Sequence, residues 1–261
     1  MNNKSFDDKR IASGYAKDRP FLHSQMIELI KKDMDIQESF AKGLDVGCGA
    51  GLSSKALKMI CDRVTGTDIS GEMVAEASAL YPNPPYDFFQ SSAEEIKAPE
   101  NTFDIATAAG VIGWVEEEKF LPNLSKIMKN NGVLIIYDFW ITDQMQGNAV
   151  YTDWWHQSYL KNFPKPPRKE NVWTQEMIEP YGFEMKKQKE CLFEYEFDLE
   201  SFVRFMMLQS NVNAQIEEKG KTLEIIRKWF EQALAPIFKG ERKTLIFKGY
   251  YWWLQLYKKN D

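Results

Sequence analysis

Lys42-Gly-Leu-Asp-Val-Gly-Cys-Gly-Ala-Gly-Leu-Ser-Ser54 is the stretch from which the fold can be read. A short apolar strand carrying an acid runs into a turn with glycines at 47, 49 and 51, and a helix starts after it. Such a turn lets the backbone approach a ligand closely, with free N–H groups and a positive helix end facing it. A dinucleotide-binding turn has the spacing G-x-G-x-x-G, and the sixth position of that pattern here is Leu52. The bland alternative is a glycine-rich strand-to-helix turn that binds nothing.

The flanking sequence repeats the same grammar. Asp62-Arg-Val-Thr-Gly-Thr-Asp68 reads as a second strand ending in an acid, with Ser70 and Gly71 opening the next helix. An acid about 20 residues past the glycines stands at the tip of the neighbouring parallel strand, where it can accept both hydroxyls of a ribose. Tyr86-Asp-Phe-Phe-Gln90 reads as a third strand, Asn101-Thr-Phe-Asp-Ile-Ala-Thr-Ala-Ala109 contains a fourth, and Asn130-Asn-Gly-Val-Leu-Ile-Ile-Tyr137 leads into a fifth. Helices are expected near 52–61, 71–80 and 117–129, with another inside 20–40, where Pro20 suits the first turn. This βαβα alternation implies a parallel sheet with right-handed crossovers.

The D-x-G-x-G-x-G spacing, with Asp45 as its acid, resembles motif I of the class I S-adenosylmethionine-dependent methyltransferases. All five elements follow in that family's order. The resemblance implies an α/β fold: a seven-stranded Rossmann-like sheet, mostly parallel with an antiparallel C-terminal strand, and helical insertions forming a lid. It implies S-adenosyl-L-methionine as cofactor, held by Asp45, Gly47, Gly49, Asp68, Ile69, Met73, Ser92, Ala93 and Ala109. Ser92 stands where relatives often carry the acid that faces the adenine amine. Tyr15-Ala-Lys-Asp-Arg-Pro20 resembles the entry of the branch that includes trans-aconitate methyltransferases and their fungal relatives. That likeness implies that Tyr15 and Arg19 close over the methionine end of the cofactor. The same branch carries a histidine before a tryptophan after the fourth strand, and here Gly113 precedes Trp114. A base is therefore missing from that position, and a carboxylate acceptor, already a nucleophile, needs none.

Bulk properties narrow the partners. The chain has 261 residues, 44% of them hydrophobic and 27% charged, as expected of one large globular domain. A net charge of −5 argues against a nucleic-acid partner. The polar start and the lack of a long apolar run argue against a signal peptide and a membrane span. Three cysteines without metal-type spacing fit a cytoplasmic setting, and two histidines leave little material for a metal site.

Beyond Trp140 the pattern changes. Residues 143–161 read as an aromatic-rich helix, 162–168 as a proline-rich loop and 174–181 as a short helix ending at Gly182. Strands at 183–197 and 243–257 form an antiparallel pair, with helices at 199–210 and 221–236. The expected organisation is one domain in three parts. Residues 1–40 close the site, 41–140 bind the cofactor, and 141–261 hold the last two strands with substrate-cap insertions at 141–172 and 199–240. Trp114, Trp140, Tyr151, Trp155 and Arg204 are the expected acceptor contacts, with Arg168 and His156 nearby. Tyr151, Trp155 and Tyr159 also fit a single packing stripe by their spacing. Asn83-Pro-Pro-Tyr86 precedes a strand and reads as a loop. The expected activity is in-line transfer of a methyl group to a small molecule, at a carboxylate or hydroxyl oxygen. Alternatives are a non-catalytic adenosylmethionine-binding protein and a methyltransferase acting on protein or RNA.

Overall fold

The apolar strands and amphipathic helices assemble around one sheet in a computed structural model, which describes residues 14, 17–165, 172–219 and 222–258. Tyr15 and Arg168 lie outside the described residues. Helix α1 (Leu22–Asp33) buries Leu22, Met26, Ile27 and Ile30, a single stripe at helical spacing. Then follow β1 (Phe40–Val46), α2 (Leu52–Leu57), β2 (Cys61–Asp68), α3 (Gly71–Leu80), β3 (Tyr86–Gln90), β4 (Phe103–Ala109), α4 (Glu117–Ile127) and β5 (Met128–Met145). The second half contains α5 (Ala149–Trp154), α6 (Gln175–Ile178), β6 (Phe183–Phe197), α7 (Leu199–Met206), α8 (Ser210–Lys219), α9 (Leu223–Phe238) and β7 (Lys243–Leu256).

The seven strands lie in the order β3-β2-β1-β4-β5-β7-β6. The first five are parallel, and β7 runs antiparallel between β5 and β6. This is the mostly parallel seven-stranded sheet with antiparallel C-terminal strands that the motif order implied. Strand order reverses between β1 and β4, and open α/β sheets bind ligands beyond the strand ends at such a point.

Two boundaries differ from the sequence expectation. Strand β5 continues to Met145, and the helix expected from 143 begins at Ala149. Residues 141–145 are claimed by β7: Ile141 pairs with Phe247, Met145 pairs with Leu245, and the Thr142 hydroxyl donates to the Ile246 carbonyl. The helix then starts where the Asn148 side chain accepts the Tyr151 N–H, and it widens to a π-turn over Trp155–Tyr159. Helix α8 is the other addition, in a stretch for which no separate helix was expected.

Apolar residues on the two sheet faces form two cores. One joins α1 and α2 to Ile135 and Tyr137 of β5 and to the aromatic helices of both insertions. The other packs α4, Trp173 and Ile178 against Leu134, Ile136 and Trp252. Neighbouring Trp252 and Trp253 therefore serve opposite faces, as alternation along a strand requires. Asp33 ties α1 to the terminal hairpin, accepting from Lys189 Nζ at 2.7 Å and from the Tyr251 hydroxyl. These donors hold its carboxyl down at about 2, with the Lys189 bond the largest cause.

Candidate active site

The glycine turn occupies the carboxyl end of β1. Gly47 has φ 66°, and a Cβ there would stand 2.4 Å from Val111 Cγ2 of the loop after β4. Gly49 has φ 52°, and a Cβ there would meet nothing within 4 Å, so the turn offers an open face at this residue.

Asp68 links this turn to the next helix. Its Oδ2 accepts the Gly49 N–H at 2.8 Å, and its Oδ1 accepts the Ser70 N–H at 2.9 Å. Ser70 in turn caps α3 by accepting the Met73 N–H at 3.3 Å. A half-buried carboxylate is thereby fixed against the glycine turn by two backbone N–H groups.

Asp45 has another place. It is fully buried; Oδ2 accepts from the Ser53 and Ser54 hydroxyls, both at 2.6 Å, and Oδ1 from Thr107 at 2.9 Å. Burial pushes its carboxyl up to about 6 against the pull of these three hydroxyls. The side chain braces the turn from behind, joining β1 to α2 and β4, and does not face the open side.

A second buried pair flanks the turn. His23 Nδ1 lies 2.9 Å from the Tyr137 hydroxyl, which brings α1 onto β5. Burial, aided by the nearby Arg19 charge, lowers the imidazole to about 3, so His23 is neutral in the fold. Its unfolded counterpart takes up a proton near 6.5, so acid favours unfolding at about 1.4 kcal/mol per pH unit from pH 6.5 towards 3. Asp45 slopes the other way. Its native carboxyl binds a proton near 6 and the unfolded one near 3.8, so stability rises as pH falls through that window. The two slopes oppose each other between pH 6 and 4. Asp45→Asn removes one of them. Compared with wild type, this variant is expected to lose about 3 kcal/mol more stability between pH 7 and pH 4. Urea melts at several pH values measure the difference, and parallel curves would refute the opposition.

The other expected residues fall into three groups. Around the cofactor region, Ile69 is 49% exposed and Met73 buried, while Arg19, Ser92, Ala93 and Ala109 are half-buried. At the sheet tip, Trp114 is 55% exposed and Trp140 41% exposed. In the cap, Tyr151 and Trp155 are buried in the aromatic packing, and the Tyr151 hydroxyl donates to the Thr142 carbonyl. Arg204 ion-pairs with Asp18 at 2.8 Å and Glu200 at 2.5 Å, holding α7 to the N-terminal segment. His156 contacts Asp143 at 2.7 Å on the surface of the first insertion. Sequence reasoning did not single out His23 on α1, or Tyr137 and Asp138 where β5 passes the end of β4. Among the described residues no group of three or more side chains could hold a metal ion, and no helix is long and apolar enough to cross a membrane.

A carboxylate bonded to the glycine turn and a sheet order reversing beside it belong to a seven-stranded α/β fold that solved methyltransferase structures share. Residues 44–136 match the family described as methyltransferase domain. A Dictyostelium discoideum protein named as a candidate methyltransferase is 24% identical over 63% of this chain and 62% of its own length. A ubiquinone biosynthesis O-methyltransferase from Rhodopseudomonas palustris is 35% identical over 36% of this chain and 38% of its own. The chain thus spans less than two thirds of either relative. A solved structure of a candidate type II methyltransferase from Anaeromyxobacter dehalogenans superimposes with a TM-score of 0.68 at 19% identity, covering 87% of this chain and 94% of that one. Residues 44–136 therefore resemble a methyltransferase domain in sequence, and most of the chain shares the fold of the solved structure.

Proposed function

We propose that the whole chain transfers the methyl group of adenosylmethionine to an oxygen, carboxylate or hydroxyl, of a small molecule held between the strand ends and the helical cap. The observation that carries this reading is Asp68, bonded to the Gly49 and Ser70 amides beside the open face of the turn. The cofactor, when bound, supplies an activated methyl carbon on a sulfonium. The chain's own residues have to hold and align. Asp68 accepts the ribose hydroxyls, the Gly47–Gly51 turn lets the nucleoside approach the backbone, and Arg19 pairs with the cofactor carboxylate in this reading. The cap, built from α5 and α7–α9, excludes water from the reacting centre. The likeness of residues 15–20 and of Trp114 to the trans-aconitate methyltransferase branch, and the O-methyltransferase named among the relatives, support a small acceptor. The acidic net charge supports the same reading against a nucleic-acid substrate.

The test has two stages. Calorimetry with adenosylmethionine and adenosylhomocysteine is expected to give micromolar binding, and its absence would sink the proposal. Tritium transfer from labelled adenosylmethionine into phenols, hydroxy acids and carboxylic acids then reads the acceptor, with label in an extractable small product as the expected result.

A further inference from the structure

Where β5 passes beyond the end of β4, it carries an acid that the holding of the nucleoside does not use. Asp138 follows Tyr137 and projects to the opposite face of the sheet. Its Oδ1 accepts the Phe139 N–H at 2.8 Å, which fixes the carboxylate on this stretch of the strand. The same oxygen would stand 3.3 Å from a Cβ on Gly110, an exposed residue with φ 67° at the start of the loop after β4. Aromatic rings wall this corner. Tyr250 is the cross-strand partner of Asp138, and its ring centroid lies 6.2 Å from that of Trp140 and 5.2 Å from that of Trp252. Burial, with the Asp138 charge in support, pushes the Tyr250 hydroxyl up to about 12.

Position decides what this carboxylate meets. A nucleoside held at Asp68 on β2, lying across the turn after β1, directs the rest of the cofactor towards the end of β4 and the stretch of β5 beside it. Gly110 follows the last residue of β4, and Asp138 is the first residue of β5 beyond its pairing with β4. We propose that Asp138 reads the charge of the cofactor's sulfur: its carboxylate favours the cationic sulfonium of adenosylmethionine over the neutral thioether of adenosylhomocysteine. The inference rests on the methyl-transfer reading and deepens it, since a residue of this kind holds the loaded cofactor and loosens the spent one. Coulomb attraction over a few ångströms in a partly solvated site corresponds to about tenfold in affinity.

Binding measures this without any acceptor. Calorimetry with adenosylmethionine and with adenosylhomocysteine is run on wild type, Asp138→Asn and Asp138→Glu. Asp138→Asn is expected to weaken adenosylmethionine about tenfold while adenosylhomocysteine changes by less than about twofold, and Asp138→Glu to keep most of the preference. Equal losses for both ligands would mark Asp138 as merely structural, and unchanged binding of both would place it away from the sulfur. Either result overturns the proposal. A wild type that binds neither ligand removes the methyl-transfer reading itself.

Discussion

Asp68→Ala is expected to weaken adenosylmethionine binding by about a hundredfold or more. Each hydrogen bond from a ribose hydroxyl to a carboxylate contributes about 1.5–3 kcal/mol, and two are lost together. The truncation also leaves the Gly49 and Ser70 N–H groups without their acceptor, so the turn itself loosens. Asp68→Asn separates the two effects. An amide can still accept one N–H, so this variant is expected to recover the melting temperature more than the affinity. Calorimetry alongside thermal melts provides both readings. A loss below about tenfold in Asp68→Ala would show that the nucleoside is held elsewhere.

Phe230→Ala is the substitution expected to cost the fold most. Phe230 is fully buried on α9, with ring centroids 5.3 Å from Phe163, 6.1 Å from Tyr159 and 6.4 Å from Trp154. It is a shared contact between the two insertions. Removing a buried phenyl ring costs about 3–5 kcal/mol, which in a chain of this size lowers the melting temperature by about 8–15 °C. Thermal denaturation followed by near-ultraviolet circular dichroism measures it, because the affected tryptophans dominate that signal. A drop of less than about 3 °C would mean the insertions pack independently.

Sequence and structure agree most closely where a local pattern suffices. Gly47, Gly49 and Gly51 between an apolar strand and a helix determine the turn, and the acid closing 62–68 marks the strand tip. Asp138, closing the apolar run 133–137, carries the same signature and was equally legible. Asp45 shows the limit of this signature. Whether such an acid faces a ligand depends on its neighbours, and Thr107, one of the three hydroxyls that occupy Asp45, lies 62 residues away. His23 sits on an apolar helical face, and its partner Tyr137 is 114 residues distant. Tyr151 and Trp155 were ambiguous for the same reason. Periodicity shows a stripe, and residues of the second insertion, Phe202 and Phe230 among them, turn that stripe into a core.

The order of the last three strands bears on how the chain can be made. β7 is the final strand of the sheet along the chain, yet it lies inside, with β5 on one flank and β6 on the other. During synthesis β6 emerges with no neighbour to pair with and must wait for residues 243–256, while α7, α8 and α9 accumulate in between. The first five strands have no such dependence, because β2, β3, β4 and β5 each pair with a strand already present. A nascent chain can therefore complete its nucleoside-binding half early and hold an unpaired fifteen-residue strand, β6, until late. The alternation of Glu184, Lys186, Gln188, Glu190, Glu194 and Glu196 along that strand keeps it soluble during the wait and resists pairing with a neighbouring ribosome's product.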